Sequence, residues 1–183
     1  MKRRKIPNDE LPRTTVEEYR NSRKFPVIIV LDNIRSMNNI GSVFRTADAF
    51  RTEAIYLCGI TAQPPHREIR KTALGATESV PWKYFENTVD ALESLRQDGY
   101  ILMAIEQVEG GHYLESYVPD SGKKYALVFG HEIHGVNQEV VDLCDECIEI
   151  PQFGTKHSFN IVVSTGIVLW DFYTKLGFGS DKS

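Results

Sequence analysis

Hydrophobic positions along the chain fall into two alternating patterns. Val27–Leu31 is an unbroken β-branched and aliphatic run, the pattern of a strand buried on both faces. Apolar runs recur at Ala54–Cys58, Ile101–Ile105 and Tyr125–Phe129, with a shorter one at Cys147–Ile150. Between them, Ile40–Phe50, Val89–Gln97, Gln138–Cys144 and Asn160–Leu176 carry helical patterns. Strands alternating with helices predict βαβ units, and so one α/β domain with a parallel sheet and helices on both faces. Such sheets bind ligands beyond the carboxyl ends of their strands. The polar and glycine-containing loops around Gly130, Gly135 and Gly154 are therefore where chemistry is expected. Neither G-x-G-x-x-G nor a Walker lysine motif is present, which argues against dinucleotide or triphosphate binding of the usual kinds.

Length and composition narrow this picture. A chain of 183 residues fits one domain with a sizeable core. Its longest apolar stretches, Phe25–Leu31 and Ile161–Trp170, fall short of a membrane span. The residues near Met1 are charged rather than signal-like, and three cysteines (Cys58, Cys144, Cys147) imply no disulfide framework. A cytoplasmic protein is the expectation. Net charge is −4, yet residues 1–24 hold eight Lys or Arg against four Asp or Glu. A basic arm over residues 1–24, either a solvated tail or an RNA contact, precedes an acidic body over residues 25–183.

Three segments carry candidate chemistry. The first, Asn38-Asn39-Ile40-Gly41-Ser42-Val43-Phe44-Arg45-Thr46-Ala47, reads as a helix with Val43, Ala47 and Phe50 facing the core and Asn39 in the loop before it. The second, Leu127–Gly135, is a strand delivering a polar turn with His131, Glu132 and His134. Its H-E-x-H spacing is not the H-E-x-x-H of zinc sites, and Cys144-x-x-Cys147 lacks a partner pair, so no metal is expected. The third runs from Ile150-Pro151 through Gly154 and Ser158-Phe159-Asn160 to Ser164. Its structural reading is a helix capped at Ser158.

Taken together, in this order and spacing, the segments resemble the three motifs of the SpoU (TrmH) family of SPOUT RNA methyltransferases. Asn39-x-Gly41-x-x-x-Arg45-Thr46-Ala47 resembles the first motif and Phe129-Gly130-x-Glu132-x-x-Gly135 the second. Ile150-Pro151, Gly154, Ser158-Phe159-Asn160 and Ser164 resemble the third. The chain departs from the family at Phe159, where leucine is usual, and at Gln152-Phe153, where methionine commonly follows the proline.

The resemblance implies a deep C-terminal trefoil knot in the α/β sheet and S-adenosylmethionine as cofactor. It also implies a homodimer in which both subunits shape the site. The implied reaction is methyl transfer to an RNA ribose 2′-hydroxyl, on tRNA first and rRNA second, with guanosine the expected nucleotide. An inactive RNA-binding protein of the same fold is the alternative. Backbone around Ile105, Gly130, Ile150 and Phe159 is implied to cradle the cofactor. Asn39, Arg45, Glu132, Ser158 and Asn160 form the implied catalytic and RNA-facing set. A guanidinium has no acceptor lone pair, so Arg45 is read as a phosphate clamp and alkoxide stabiliser rather than a base. Glu132 is read either as an ion-pair partner of Arg45 or as a backbone cap, and Ser158 and Asn160 as orienters. Substrate selection would fall on the arm, the dimer surface, and Arg67, Arg70 and Lys71, which read equally as a solvated helix face.

Overall fold

A computed structural model describes residues 3–7, 9–12 and 14–180; Lys2 and Arg13 of the basic arm lie outside the described residues. Among these, seven strands form one parallel sheet in the order β3-β2-β1-β6-β4-β7-β5. The strands are β1 (Phe25–Asp32), β2 (Thr52–Cys58), β3 (Trp82–Phe85), β4 (Tyr100–Ile105), β5 (His112–Tyr113), β6 (Lys124–Phe129) and β7 (Glu146–Glu149). The helices are α1 (Val16–Asn21), α2 (Met37–Phe50), α3 (Arg67–Ala73), α4 (Ala76–Ser79), α5 (Thr88–Gln97), α6 (Gln138–Leu143) and α7 (Ile161–Lys175). The α/β class, the parallel sheet and its two helical faces are as the hydrophobic pattern predicts.

The alternation of side chains along β1 shows how the two faces arise. Val27, Ile29 and Leu31 pack in one core with Phe44 of α2, Ile69 of α3 and Phe172 of α7. Ile28 and Val30 pack in the other with Leu92 and Leu95 of α5 and Val140 of α6. β1 to β3 run outward in one direction. The crossover through α5 then returns the chain to the far side of β1, which puts α5 on the opposite face, as right-handed crossovers require. After β7 the chain comes back to the first face, where α7 packs beside α2, Trp170 lying against Phe50 at 6.5 Å between ring centroids. That return is the stretch to which the resemblance assigns the knot.

The structure corrects two readings of helix ends. Helix α2 begins at Met37 with Ser36 as cap, its hydroxyl accepting the Asn39 N–H at 3.3 Å. Asn39 therefore sits in the first turn of the helix, not in the loop before it. Helix α7 is capped by Asn160, which accepts the Val162 N–H at 2.9 Å, and not by Ser158. Gly41 has a packing reason: a Cβ there would strike the Thr72 hydroxyl and the Ile69 carbonyl of α3.

Within the arm, α1 is closed by a capping box between Thr15 and Glu18. It docks through buried Tyr19 and through Arg20, which donates to the Glu78 carbonyl at 2.9 Å. Among the described residues no helix is long and apolar enough to cross a membrane.

Candidate active site

The carboxyl ends of three adjacent strands, β6, β4 and β7, open into a cavity of about 270 Å³. Ile105 and Glu106 wall it after β4, Gly130–Gly135 after β6, Ile150 after β7, and Ser158–Phe159 and Ile161 at the head of α7. All four residues implied to cradle the cofactor, Ile105, Gly130, Ile150 and Phe159, line this one space.

Local chemistry explains the loop after β6. His131 donates its N–H to the Gly135 carbonyl at 2.9 Å, and Gly135 returns one to His131 at 2.8 Å. The loop folds so tightly that a Cβ on Gly130 would collide with the backbone of Gly135 and Val136. Gly135 itself has φ +67°, in the left-handed region that glycine adopts freely. From the neighbouring strand end, Glu106 accepts the N–H groups of Val136 at 2.8 Å and Gln107 at 3.0 Å. Sequence reasoning missed Glu106. An acidic residue one position beyond a strand's carboxyl end, where such sheets bind ligands, was the available signal.

Beside the cavity, Glu132, Asn39 and Asn160 form a chain of hydrogen bonds. The Glu132 carboxylate accepts the backbone N–H groups of Arg35 at 3.2 Å and Ser36 at 3.1 Å. It also accepts the Asn39 amide at 3.1 Å, and Asn39 in turn accepts the Asn160 amide at 3.4 Å. Glu132 therefore caps the entry to α2, at the end where a helix dipole favours negative charge. Partial burial raises its carboxyl pKa, but the N–H groups of its own backbone, Ser36 and Arg35, with the Asn39 amide, outweigh this and hold it below the ordinary value. A carboxylate held that way stays ionised and is a poor proton acceptor at neutral pH.

A depressed folded-state pKa contributes stability that is present above the unfolded value of 4.5 and lost as pH falls through the folded value. At neutral pH, Glu132→Gln should lower the melting temperature by roughly 2–4 °C, the scale of a lost cap in a chain of this size. Calorimetry should find the gap closing below pH 4.5. A gap that persists unchanged at low pH would exclude the ionised cap.

Ser158 faces the cavity, whereas Arg45 does not. Arg45 lies six residues beyond Asn39 on α2, roughly 9 Å along the axis, and borders a separate open depression with Thr15, Tyr19 and Asp48. Its guanidinium is exposed and, among the described residues, makes no hydrogen bond or ion pair, with Glu132 or any other group. One chain thus gathers Asn39, Glu132, Asn160 and Ser158 but leaves Arg45 apart. Arg67, Arg70 and Lys71 are exposed on α3, Arg67 and Lys71 lying 4.0 and 3.9 Å from Glu68. Among the described residues no group of three or more His, Cys, Asp or Glu could hold a metal ion. The rings of His131 and His134 instead stack on each other at 4.8 Å. Cys144 and Cys147 are half-buried, burial pushing the Cys144 thiol up to about 12.

An open parallel sheet whose strand ends and glycine turn enclose one cavity defines an α/β ligand-binding protein. Comparison with known sequences is more specific: the model of the SpoU rRNA Methylase family matches residues 26–170, and the chain belongs to that family. It is 31% identical over 144 residues to the 23S rRNA (guanosine-2′-O-)-methyltransferase RlmB of Neisseria meningitidis serogroup B, covering 79% of this chain and 56% of that protein. It is 26% identical over 168 residues to a TrmH family tRNA/rRNA methyltransferase of Staphylococcus saprophyticus, covering 92% and 66%. An AdoMet-bound rRNA methyltransferase from Sinorhizobium meliloti superposes with a TM-score of 0.75 at 27% identity, covering 85% and 59%. The chain thus spans between 56% and 66% of the length of these relatives.

Proposed function

We propose that this protein transfers the methyl group of S-adenosylmethionine to a ribose 2′-hydroxyl of RNA. The observation that carries the reading is one cavity at the ends of β4, β6 and β7 lined by the second and third motif segments, with Asn39 of the first hydrogen-bonded to both beside it. The cavity fits the cofactor in kind. Its volume of about 270 Å³ lies just under the usual range for small-molecule pockets, roughly 300–1,000 Å³. Phe129, Ile148 and Ile161 offer apolar surface for a heterocycle, and Gly130, by having no side chain, lets the loop of Gly135 and Val136 fold against it as one wall of the cavity. When bound, S-adenosylmethionine supplies an electrophilic methyl group.

The chain's own residues then have separate tasks. Ile105, Gly130, Ile150 and Phe159 hold the cofactor. Asn39, Glu132 and Asn160 tie the head of α2 to the head of α7 beside the cavity, and Ser158 presents its hydroxyl to it. Holding hydroxyl and methyl in line supplies several kcal/mol of the barrier, about 7 or more in favourable cases. Arg45 grips a phosphate of the acceptor and stabilises the developing alkoxide, while the hydroxyl proton leaves to water or to a phosphate oxygen of the RNA.

The protein acts as a homodimer in which Arg45 serves the partner's cavity. Two observations support this. Arg45 is exposed and away from the cavity of its own chain, and α7 leaves an apolar stripe of Val163, Ile167 and Trp170 in solvent, Trp170 at 61% exposure. That stripe adjoins α2 through Phe50 and Trp170, so an interface covering it also carries α2 toward the second copy.

Guanosine in tRNA is the first acceptor, supported by the resemblance of the stretch Pro65–Pro81 to the tRNA-acting members of the family. Guanosine in rRNA is the second reading, favoured by the 31% identity to RlmB. With labelled cofactor, the protein should transfer label to one of unmodified bulk tRNA or rRNA, and nucleoside mass spectrometry should recover 2′-O-methylguanosine. A folded protein that binds neither S-adenosylmethionine nor its demethylated product would refute the enzyme. Such RNA acceptors make the cytoplasm the compartment assigned here.

A further inference from the structure

The loop between β7 and α7 presents a side chain that neither the fold nor the cavity uses. Phe153 is 97% exposed, follows the cavity-lining Gln152, and precedes Gly154, where a Cβ would meet nothing. Residues 151–160 contain no Asp or Glu, in a chain with 25 of them, and they carry Lys156 and His157, both exposed. Across the same cavity, on the loop after β6, Ile133 is 75% exposed. An aromatic ring beside a lysine at the mouth of a polar-rimmed cavity is how proteins receive unpaired bases, with rings stacking and cations meeting phosphates.

We propose that Phe153 is a stacking platform for an unpaired nucleobase at the reacting nucleotide, so that acceptors are looped or single-stranded rather than duplex. The inference rests on the RNA methyltransferase reading and deepens it. A ribose whose 2′-hydroxyl reaches into the cavity leaves its base outside, at the level of the rim where Phe153 stands. A base held in a duplex has both faces covered by its neighbours and cannot use the ring.

The test reads RNA binding, not turnover. The affinity of the full chain for a short single-stranded RNA, and for the same RNA annealed to its complement, is measured for wild type, Phe153→Ala, Phe153→Leu and Phe153→Trp. Single-stranded binding should fall about tenfold in Phe153→Ala, within the range for losing one base stack. Phe153→Leu should fall alike and Phe153→Trp should match wild type, while duplex affinity, cofactor affinity and molecular mass stay unchanged. Full binding by Phe153→Leu would overturn the proposal in favour of a merely apolar contact. A change of mass in Phe153→Ala would overturn it in favour of a contact with a second copy, and unchanged RNA affinity in every variant would overturn it outright. If wild type binds single strands through Phe153 but methylates none of the RNAs supplied, the methyltransferase reading fails and the platform stands.

Discussion

Arg45→Lys should lower single-turnover methyl transfer by roughly 100- to 1,000-fold, the usual loss when one preorganised donor to a developing oxyanion is removed. Charge is kept in this variant, so the loss isolates the planar fork that grips a phosphate through two parallel hydrogen bonds. Cofactor affinity should stay within about twofold, because Arg45 lies outside the cavity that Ile105, Gly130 and Ile150 line. A mixed-dimer experiment sharpens the assignment. Arg45→Lys and a second variant disabled at the cavity, such as Gly130→Ala, should each be inactive alone. Co-expressed, they should regain part of the activity, since one mixed dimer pairs an intact cavity with an intact Arg45 from the other chain. Near-normal turnover by Arg45→Lys would make the residue a replaceable surface charge. No recovery in the mixture would place Arg45 on its own chain's cavity.

What the sequence revealed follows from how local its signals are. Val27–Leu31 and Tyr125–Phe129 read as buried strands because central parallel strands are apolar on both faces. β3 escaped that reading because it is a short stretch at one sheet edge, with Lys83 and Tyr84 exposed. β5 is two exposed residues, His112 and Tyr113, which leave no pattern. α3 buries only Ile69 and Ala73, one turn apart, too few for a periodicity. The cap of α7 was misread because Ser158 and Asn160 are both good capping residues, and only the geometry shows which one reaches the first free N–H.

The site divides the same way. The glycines and polar residues of the loops were visible as residue types at strand ends. Their partnerships were not: Asn39 and Asn160 meet across 121 positions of sequence, and Glu106 and Val136 across 30. Such contacts are made by the order of strands in the sheet, which no local pattern encodes. The separation of Arg45 from the cavity is likewise a property of the folded chain, because on the sequence it belongs to the same short segment as Asn39.

Gly130→Ala should all but remove cofactor binding, with Gly154→Ala as its control. Both glycines belong to the motif pattern, but their surroundings differ. At Gly130 a methyl group would collide with the backbone of Gly135 and Val136, which cannot swing aside as a side chain can; at Gly154 it would meet nothing within 4 Å. Relieving the first collision means opening the turn that His131 and Gly135 close with bonds of 2.9 and 2.8 Å. Overpacking of this kind costs about 1–3 kcal/mol, and here it also displaces a wall of the cavity. Calorimetry should therefore find S-adenosylmethionine bound about 100-fold more weakly, or not at all, by Gly130→Ala, the upper part of that range expressed as affinity. Its melting temperature should fall by roughly 2–12 °C, leaving a folded protein on which binding can be read. Gly154→Ala should bind within about twofold of wild type, since an exposed site with open space around it carries no such cost. Equal loss in both variants would mean that the loop glycines act through backbone freedom rather than space. Normal binding by folded Gly130→Ala would move the cofactor out of this cavity altogether.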